Sequence, residues 1–263
     1  MRDDPRHVLP THERKRLLSV VTGHPLPEVY DGMELTQRQA RRYQQLGVRR
    51  MEGEPLQYLE GTVQFGPITI SIDKRALIPR PETERMWERC VELLDEPEFI
   101  LDLCTGSGCL ALALKHEFPG AHVVGTDVSP EALGLANQNA KTLRAIIEFR
   151  EGDLYEALPE DLAGAFDLIV SNPPYVEDDA YLPMEVRDHE PALALRAGDD
   201  GLAVLRPLVA EARRWLAPGG MLAMEIGETQ GADVLALCGA AGLDARIEQD
   251  LAGRDRYVFA TRR

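Results

Sequence analysis

The sequence predicts an α/β protein, in which a small N-terminal helical domain and a linking β-hairpin precede a doubly wound, mostly parallel sheet. Three observations predict this class. Strand and helix patterns alternate from residue 99 to the C-terminus, a glycine-containing turn joins the first strand to its helix, and the first fifty residues contain short helices broken by Pro and Gly. Alternating strands and helices favour a parallel sheet whose ligands bind beyond the carboxyl ends of the strands. The predicted boundaries are residues 1–55, 56–80 and 81–263.

The N-terminal region contains two predicted helices. Thr11 is suited to cap a helix that stops at Gly23, and Thr36 is suited to cap a second helix that stops near Gly53. Apolar positions are sparse in both segments, so the predicted bundle is thin. We expect it to pack against the main domain or against a partner.

The segment 56–78 reads as a β-hairpin. Gly61 and the pair Gly66-Pro67 are turn signals, and β-branched residues alternate in ITISI. A helix is predicted from about residue 82 to 95. Pro81 suits its first turn, where the missing N–H costs nothing, and the acids that follow favour the helix dipole.

The rest of the chain supplies seven predicted strands and the helices between them. The strands are FILDLC, AHVVGTD, AIIEFREGD, FDLIVSN, MLAMEIG, ARIEQDL and RYVFATRR. Ser129 is a predicted helix cap, and LAVLRPLVAEARRWL forms a long helix ended by APGG. The last two strands are expected to pair as the two edge strands around the turn AGRD.

The charge distribution limits the function classes. The 263 residues carry a net charge of -15. Residues 1–50 hold 10 basic and 6 acidic residues, or +4, which leaves 19 basic and 38 acidic residues, or -19, for residues 51–263. Affinity for nucleic acid depends on clustered Lys and Arg, so this balance works against a nucleic-acid binder.

The four cysteines are scattered and show no metal-ligand spacing with the six histidines. Such cysteines are typical of reduced thiols. The N-terminus lacks the apolar stretch of a secretory signal, and no apolar segment has the length of a membrane span. The sequence therefore predicts a cytoplasmic protein without a metal site and without a membrane partner.

A glycine turn follows the first predicted strand. Gly106 and Gly108 let the backbone approach a ligand closely, and Asp127 ends the next strand about twenty residues later, where a carboxylate can accept hydrogen bonds from ribose hydroxyls. With Ala111, these glycines also satisfy the relaxed dinucleotide spacing. On this turn alone, NAD and S-adenosylmethionine both remain possible.

Two further features favour S-adenosylmethionine. Asp102 lies just before the turn, where its carboxylate can serve the cationic end of that cofactor through water or via the loop, but would repel a pyrophosphate. Asp153 and Leu154 end the third strand. We expect Asp153 to bind the adenine amino group and Leu154 to pack on the ring.

The fourth strand ends in Asn172, Pro173, Pro174 and Tyr175. A planar NH2 group is a poor nucleophile because its lone pair is delocalised. The side-chain oxygen of Asn172 and the backbone oxygen of Pro173 can accept its two N–H bonds and favour the pyramidal nitrogen of the transition state. Consecutive prolines make this loop rigid, and Tyr175 can pack against the flat target group. The tetrapeptide therefore predicts methylation of an exocyclic NH2 group.

These motifs resemble amino-methyltransferases, a class that includes DNA adenine and protein-glutamine methyltransferases. From about Glu54 onward the chain is similar to the HemK-type enzymes that methylate the glutamine of the Gly-Gly-Gln loop in peptide chain release factors. The resemblance rests on GEPLQYLEG, LIPRPETE, LDLCTGSGCLALAL, SNPPYV, HEPALAL, DDGL, LAPGG and GRDR.

The resemblance implies a seven-stranded Rossmann-like methyltransferase sheet, S-adenosylmethionine as cofactor, a release factor as protein partner, and residues 1–55 as its docking domain. The implied cofactor contacts, together with those expected above, are Cys104, Thr105, Gly106, Ser107, Gly108, Asp127, Asp153, Leu154 and Asn172. Asn172, Pro173, Pro174 and Tyr175 would hold the substrate glutamine, and Asn172, Pro173 and Tyr175 would act in catalysis.

Four other assignments share parts of this pattern. A non-enzymatic binding module of translation could keep the same fold, but the intact Gly106, Gly108, Asp127 and tetrapeptide argue against it. Cys104 stands where release-factor enzymes more often carry Gly, and it is similar to the sister group that methylates a large-subunit ribosomal protein; LIPRPETE and GRDR favour release factors. A DNA adenine methyltransferase would need a basic groove. An NAD dehydrogenase would need a hydride-transfer acid or base, for which His189 is the one candidate, and we expect His189 to serve in loop packing.

Overall fold

The structure is a computed structural model that describes residues 8–263. Helix α1 spans Thr11–Thr22 and ends, as predicted, at Gly23 in the left-handed region (φ 75°). The predicted cap at Thr11 is wrong. Thr11 is already helical and Pro10 occupies the cap position, because the Pro10 carbonyl accepts the first backbone hydrogen bond, from the Arg14 N–H at 3.0 Å.

The second N-terminal helix, α2, spans Gln37–Met51 and confirms the cap at Thr36. The Thr36 hydroxyl accepts from the backbone N–H of Gln39, whose side chain in turn accepts from the backbone N–H of Thr36. Helices α1 and α2 bury a small core of their own around Leu17, Leu18, Tyr43 and Leu46.

The segment predicted as a hairpin is partly helical. Residues Leu56–Glu60 form a short helix, α3, and Leu56 and Leu59 join the core of the N-terminal helices. Extension of the hairpin back to residue 56 was therefore wrong, because the apolar pair at 56 and 59 has helical spacing. Strands β1 (Thr62–Phe65) and β2 (Ile68–Ser71) then pair antiparallel, as predicted.

Helix α4 spans Pro81–Leu93, with Pro81 at its first position. The remaining helices are α5 (Cys109–Glu117), α6 (Pro130–Leu143), α7 (Met184–His189), α8 (Leu205–Trp215) and α9 (Gly231–Ala240). Ser129 caps α6, as predicted, by accepting from the backbone N–H of Ala132. No helix within residues 8–263 is long and apolar enough to cross a membrane.

The main sheet has seven strands in the order β5-β4-β3-β6-β7-β9-β8. They are β3 (Phe99–Leu103), β4 (His122–Asp127), β5 (Glu148–Glu151), β6 (Phe166–Ser171), β7 (Leu216–Glu225), β8 (Leu243–Gln249) and β9 (Asp255–Arg262). Strands β3 to β7 pair parallel, and β9 pairs antiparallel with both β7 and β8.

The predicted mostly parallel sheet is confirmed, with one correction at its edge. Strand β9 is internal, and β8 alone forms that edge. Residues 256–260 of β9 are all buried, whereas β8 alternates with exposed positions. A strand covered on both faces belongs inside a sheet, so the continuous apolar run YVFA distinguishes β9 from β8.

The sheet is covered on both faces, which makes it doubly wound. Leu101 and Leu103 face α8 and α9, and Ile100, which precedes Leu101, faces α4 and α5. The chain passes from β3 first to β4 on one side and later to β6 on the other. This reversal leaves a crevice beyond the carboxyl ends of β3 and β6, where ligands bind in such folds.

Candidate active site

A cavity of about 310 Å³ opens beyond the carboxyl ends of β3, β4 and β6. It brings together most of the residues that the sequence analysis selected. The predicted residues that line it are Cys104, Thr105, Gly106, Ser107, Asp127, Asp153, Leu154, Asn172 and Pro174. Gly108, Pro173 and Tyr175 do not line it. His189 does not line it either, and its ring nitrogen lies 3.4 Å from the backbone oxygen of Glu52, in accord with loop packing.

The glycine turn has a left-handed backbone at Cys104, Gly106 and Gly108. Gly106 (φ 55°) lines the cavity, and a Cβ added there would meet protein atoms only at 4.0 Å, so its backbone is open to a ligand. Gly108 (φ 80°) serves another purpose. A Cβ there would lie 3.2 Å from Ala136 and 3.3 Å from Phe149, so Gly108 allows α5 to pack closely against α6 and β5.

Cys104 adopts the left-handed backbone too, with φ 58°. Glycine takes this conformation without steric cost, so the backbone at position 104 suits Gly better than Cys. Burial raises the pKa of the Cys104 thiol, because a thiolate would be poorly solvated there. The nearby carboxylates of Asp127 and Asp102 raise it further by repelling a negative charge. The raised pKa favours the neutral form of the Cys104 thiol, which packs in the wall of the cavity.

Asp127 joins the glycine turn to the end of β4. One carboxylate oxygen accepts from the backbone N–H of Gly106 at 2.8 Å, and the other accepts from the N–H of Ser129 at 2.9 Å. Burial raises the pKa of Asp127, and these backbone donors oppose the rise. A carboxylate has about four acceptor positions, so two remain for ligand hydroxyls.

Asp102 lies beneath the turn, where it is fully buried and does not line the cavity. One of its oxygens accepts from the Thr105 hydroxyl at 2.6 Å and from the backbone N–H of Ala111 at 3.1 Å. Its other oxygen has no partner within residues 8–263. Burial raises the pKa of Asp102 to about 7. Asp102 therefore contacts the glycine turn and not the cavity, and its role toward the cofactor stays a prediction.

The third predicted cofactor segment borders the same cavity. Asp153 is exposed, whereas Leu154 is buried and adopts a left-handed backbone with φ 47°. The backbone oxygen of Leu154 accepts from the hydroxyl of Thr126 at 3.0 Å, which ties the end of β5 to β4. Leu154 thus gives the cavity an apolar wall beside the Asp153 carboxylate.

The tetrapeptide after β6 is held by side chains from other elements. The side-chain nitrogen of Asn172 donates to the Thr83 hydroxyl at 3.0 Å, and that hydroxyl donates to Glu225 at 2.8 Å. The Tyr175 hydroxyl donates to the other oxygen of Glu225 at 2.8 Å. Within the described chain, no hydrogen bond reaches the side-chain oxygen of Asn172 or the backbone oxygen of Pro173.

Thr83, Glu225 and Gln230 were not selected from the sequence. The side-chain nitrogen of Gln230 donates to the backbone oxygens of Tyr175 at 3.0 Å and Gly201 at 3.1 Å, which fixes the chain after the tetrapeptide. Thr83 lies in the segment LIPRPETE, which carried the family resemblance but assigned no role to Thr83 itself. Glu225 and Gln230 lie in segments without a motif, and only the folded chain brings them to the site.

Glu190 is a further residue that sequence reasoning missed, although it belongs to the segment HEPALAL. Its buried carboxylate accepts from the backbone N–H of Ile78 at 3.1 Å and from Arg80 at 2.6 Å. The neighbouring residues Pro79 and Pro191 line the cavity. The ion pair between Glu190 and Arg80 therefore joins the segment before α4 to the segment after α7 at the border of the cavity.

The fold and this site define a class. A family model described as the methyltransferase small domain matches residues 89–186. Among solved structures, a 16S rRNA methyltransferase from T. thermophilus in complex with AdoMet and guanosine is similar to this chain, with a TM-score of 0.57 and 19% identity; the match covers 77% of this chain and 50% of that one. The protein is an S-adenosylmethionine-dependent methyltransferase with a Rossmann-like sheet.

Curated relatives narrow the class. The chain is 47% identical over 218 residues to the release factor glutamine methyltransferase of Deinococcus radiodurans, covering 81% of this chain and 77% of the relative. It is 44% identical over 223 residues to the enzyme of the same name from Mycolicibacterium smegmatis, covering 84% and 79%. The chain belongs to the release factor glutamine methyltransferase family. The prediction that favoured this group over the ribosomal-protein and DNA methyltransferases is confirmed.

Proposed function

We propose that this protein transfers the methyl group of S-adenosylmethionine to the side-chain amide nitrogen of the glutamine in the Gly-Gly-Gln loop of peptide chain release factors. One observation carries the proposal. Asn172 lines the cavity directly after β6, and neither its side-chain oxygen nor the backbone oxygen of the next residue, Pro173, receives a hydrogen bond from residues 8–263. Two acceptors on consecutive residues match the two N–H bonds of one primary amide.

The residues of the cavity fit S-adenosylmethionine. The open backbone at Gly106 leaves space for the amino-acid portion, Asp127 offers free acceptor positions for the ribose, and Leu154 with Asp153 offers an apolar wall and an acceptor for the adenine. Carboxylates at positions 127 and 153 also suit a cationic ligand. When bound, the cofactor supplies an electrophilic methyl carbon on its sulfonium.

The chain's own contribution is to position the glutamine amide. Accepting both N–H bonds at Asn172 and Pro173 orients the nitrogen and stabilises the positive charge that develops on it during transfer. The Pro173–Pro174 pair restricts the backbone, so these acceptors are preorganised. Tyr175 is fixed by its hydroxyl, and we propose that its ring and Pro174 border the substrate amide. A methylated amide nitrogen is acidic, so the excess proton leaves without a dedicated base.

The N-terminal helices are the proposed docking surface for the release factor. Arg38, Arg41 and Arg42 are exposed on α2, within the region of net charge +4. Exposed arginines on one helix suit an acidic or polar protein surface. A release-factor substrate implies a cytoplasmic enzyme, and we propose that location.

The proposal is tested by labelled-methyl transfer from S-adenosylmethionine to four acceptors in parallel. These are a purified release factor, the same factor with its Gly-Gly-Gln glutamine changed to alanine, the large-subunit ribosomal protein of the sister enzymes, and DNA. We expect label on the unmodified release factor alone. Label on DNA, on the ribosomal protein, or undiminished label on the alanine variant would overturn the proposal.

A further inference from the structure

Three hydrogen bonds connect the two ends of the tetrapeptide through residues that lie outside it. They run from Asn172 to Thr83, from Thr83 to Glu225, and from Tyr175 to Glu225. Glu225 is the last residue of β7 and is 1% exposed, and Thr83, in the first turn of α4, is also 1% exposed. Three separate elements of the fold therefore meet behind the substrate amide site.

The direction of each hydrogen bond follows from the chemistry of the groups. An ionised carboxylate has no hydrogen to donate, so both hydroxyls that contact Glu225 must donate to it. The single hydrogen of Thr83 is then committed to Glu225, and its oxygen can only accept from Asn172. An amide supplies a hydrogen through its nitrogen alone, so the nitrogen of Asn172 must face Thr83.

The opposite orientation of Asn172 would be unproductive. Rotation of the amide by half a turn would place its oxygen against the Thr83 oxygen, with no hydrogen between them. It would also direct an NH2 group at the NH2 group of the substrate. Two donors would then meet, and the site would lose one of its two acceptors.

We propose that Glu225 and Thr83 are positioning residues, which hold the side-chain amide of Asn172 with its oxygen toward the substrate nitrogen. This inference rests on the proposed function, because it needs a substrate that donates N–H bonds to Asn172. Burial raises the pKa of Glu225, whereas the hydrogen bonds from Thr83 and Tyr175, together with the nearby Arg256, oppose that rise and favour the ionised carboxylate. Because Glu225 accepts the hydrogen of the Thr83 hydroxyl, the Thr83 oxygen accepts from the Asn172 nitrogen. This contact fixes the orientation of the Asn172 amide at the reacting end of the site.

The test compares Thr83→Val, which keeps the shape but removes the hydroxyl, with Thr83→Ser, which keeps the hydroxyl. We expect the valine variant to lose about tenfold in kcat for release-factor methylation, the equivalent of about 1.4 kcal/mol, with little change in the Kd for S-adenosylmethionine. The serine variant should recover most of that rate. Equal kcat values in the wild type and both variants would overturn the inference.

A double-mutant cycle separates positioning from a loss of folding. If Thr83 acts through Asn172, then Thr83→Val should lower kcat in the wild type but change it by less than about twofold in an Asn172→Ala background. A full tenfold loss in both backgrounds would contradict the inference. Thermal melting of each variant reports on folding independently.

The wild type in the same assay tests the proposed function separately. If the wild type transfers no methyl group to the release factor, the proposed function fails. If the wild type is active and the two Thr83 variants are equally active, the function stands and the positioning role fails.

Discussion

The carboxylate of Asp127, at the end of β4, accepts a hydrogen bond from the backbone N–H of Gly106 at a distance of 2.8 Å. Asp127 thus both holds the glycine turn and offers acceptors to the cavity. We predict that Asp127→Ala weakens S-adenosylmethionine binding about tenfold or more, since hydrogen bonds to a charged group are each worth about 1.5–3 kcal/mol. Isothermal titration calorimetry measures this Kd.

The matched control is Glu151→Gln. Glu151 pairs with Asp127 in register on the neighbouring strand, but it is exposed and does not line the cavity. Its substitution should leave the Kd within about twofold. An unchanged Kd for Asp127→Ala would remove Asp127 from the cofactor site.

Asp102 makes the stability of the protein depend on pH. Burial raises its pKa from 3.8 to about 7, so the folded chain binds this proton more tightly than the unfolded chain does. The contribution of Asp102 to the free energy of unfolding is therefore fully present below about pH 4 and is lost as the pH rises from there through about 7. Between about pH 4 and pH 7, the free energy of unfolding should therefore fall less steeply in Asp102→Asn than in the wild type.

Urea denaturation of both proteins at several pH values measures that slope. Comparison with the asparagine variant isolates Asp102 from the other titrating groups, which both proteins share. Parallel stability profiles would show that folding does not raise the pKa of Asp102.

Asn172 is expected to act on the rate and not on cofactor affinity. Asn172→Ala removes one of the two acceptors for the substrate amide, and we predict a loss of about 100-fold or more in kcat, as for other donors and acceptors that stabilise a transition state. The Kd for S-adenosylmethionine should change little. Single-turnover methyl transfer and calorimetry measure the two quantities, and near-normal turnover would contradict the role of Asn172.

Gly201 packs closely against the backbone of Tyr175, the last residue of the tetrapeptide. Its backbone is left-handed (φ 68°), and a Cβ there would lie 2.4 Å from the backbone oxygen of Tyr175 and 2.6 Å from the side chain of Gln230. We predict that Gly201→Ala lowers the free energy of unfolding by about 2 kcal/mol and impairs methyl transfer.

The control for Gly201 is Gly239, an exposed glycine in α9 whose added Cβ would meet nothing within 4 Å. Gly239→Ala should raise stability by about 0.5–1 kcal/mol, because alanine loses less backbone entropy in a helix. Thermal melting compares the two variants. A Gly201→Ala protein as stable as the wild type would show that the loop can move without cost.

The sequence predicted the parts of the fold that depend on local pattern. The cap at Thr36, the cap at Ser129 and the glycine turn are short-range features that their own residues determine. The internal position of β9 was missed because sheet order depends on contacts between distant segments. The helix Leu56–Glu60 was missed because its one pair of helix-spaced apolar residues, Leu56 and Leu59, is too short a pattern to distinguish a helix from a strand.

The site was predictable wherever a residue type carries its own chemistry. Asp127 ends β4 and Asn172 directly follows β6 at the ligand side of the sheet, and both line the cavity. Thr83 and Glu225 lie 142 positions apart in the chain and meet only after folding, so no local pattern could join them. The hydrogen bond between Tyr175 and Glu225 spans 50 positions, so no local pattern could predict this contact either.

The most direct test of the proposed function is tandem mass spectrometry of the release factor after reaction with S-adenosylmethionine and this protein. We predict one added methyl group, located on the side-chain nitrogen of the Gly-Gly-Gln glutamine, with the wild type and almost none with Asn172→Ala. A methyl group on any other residue, or equal modification by both proteins, would contradict the proposal.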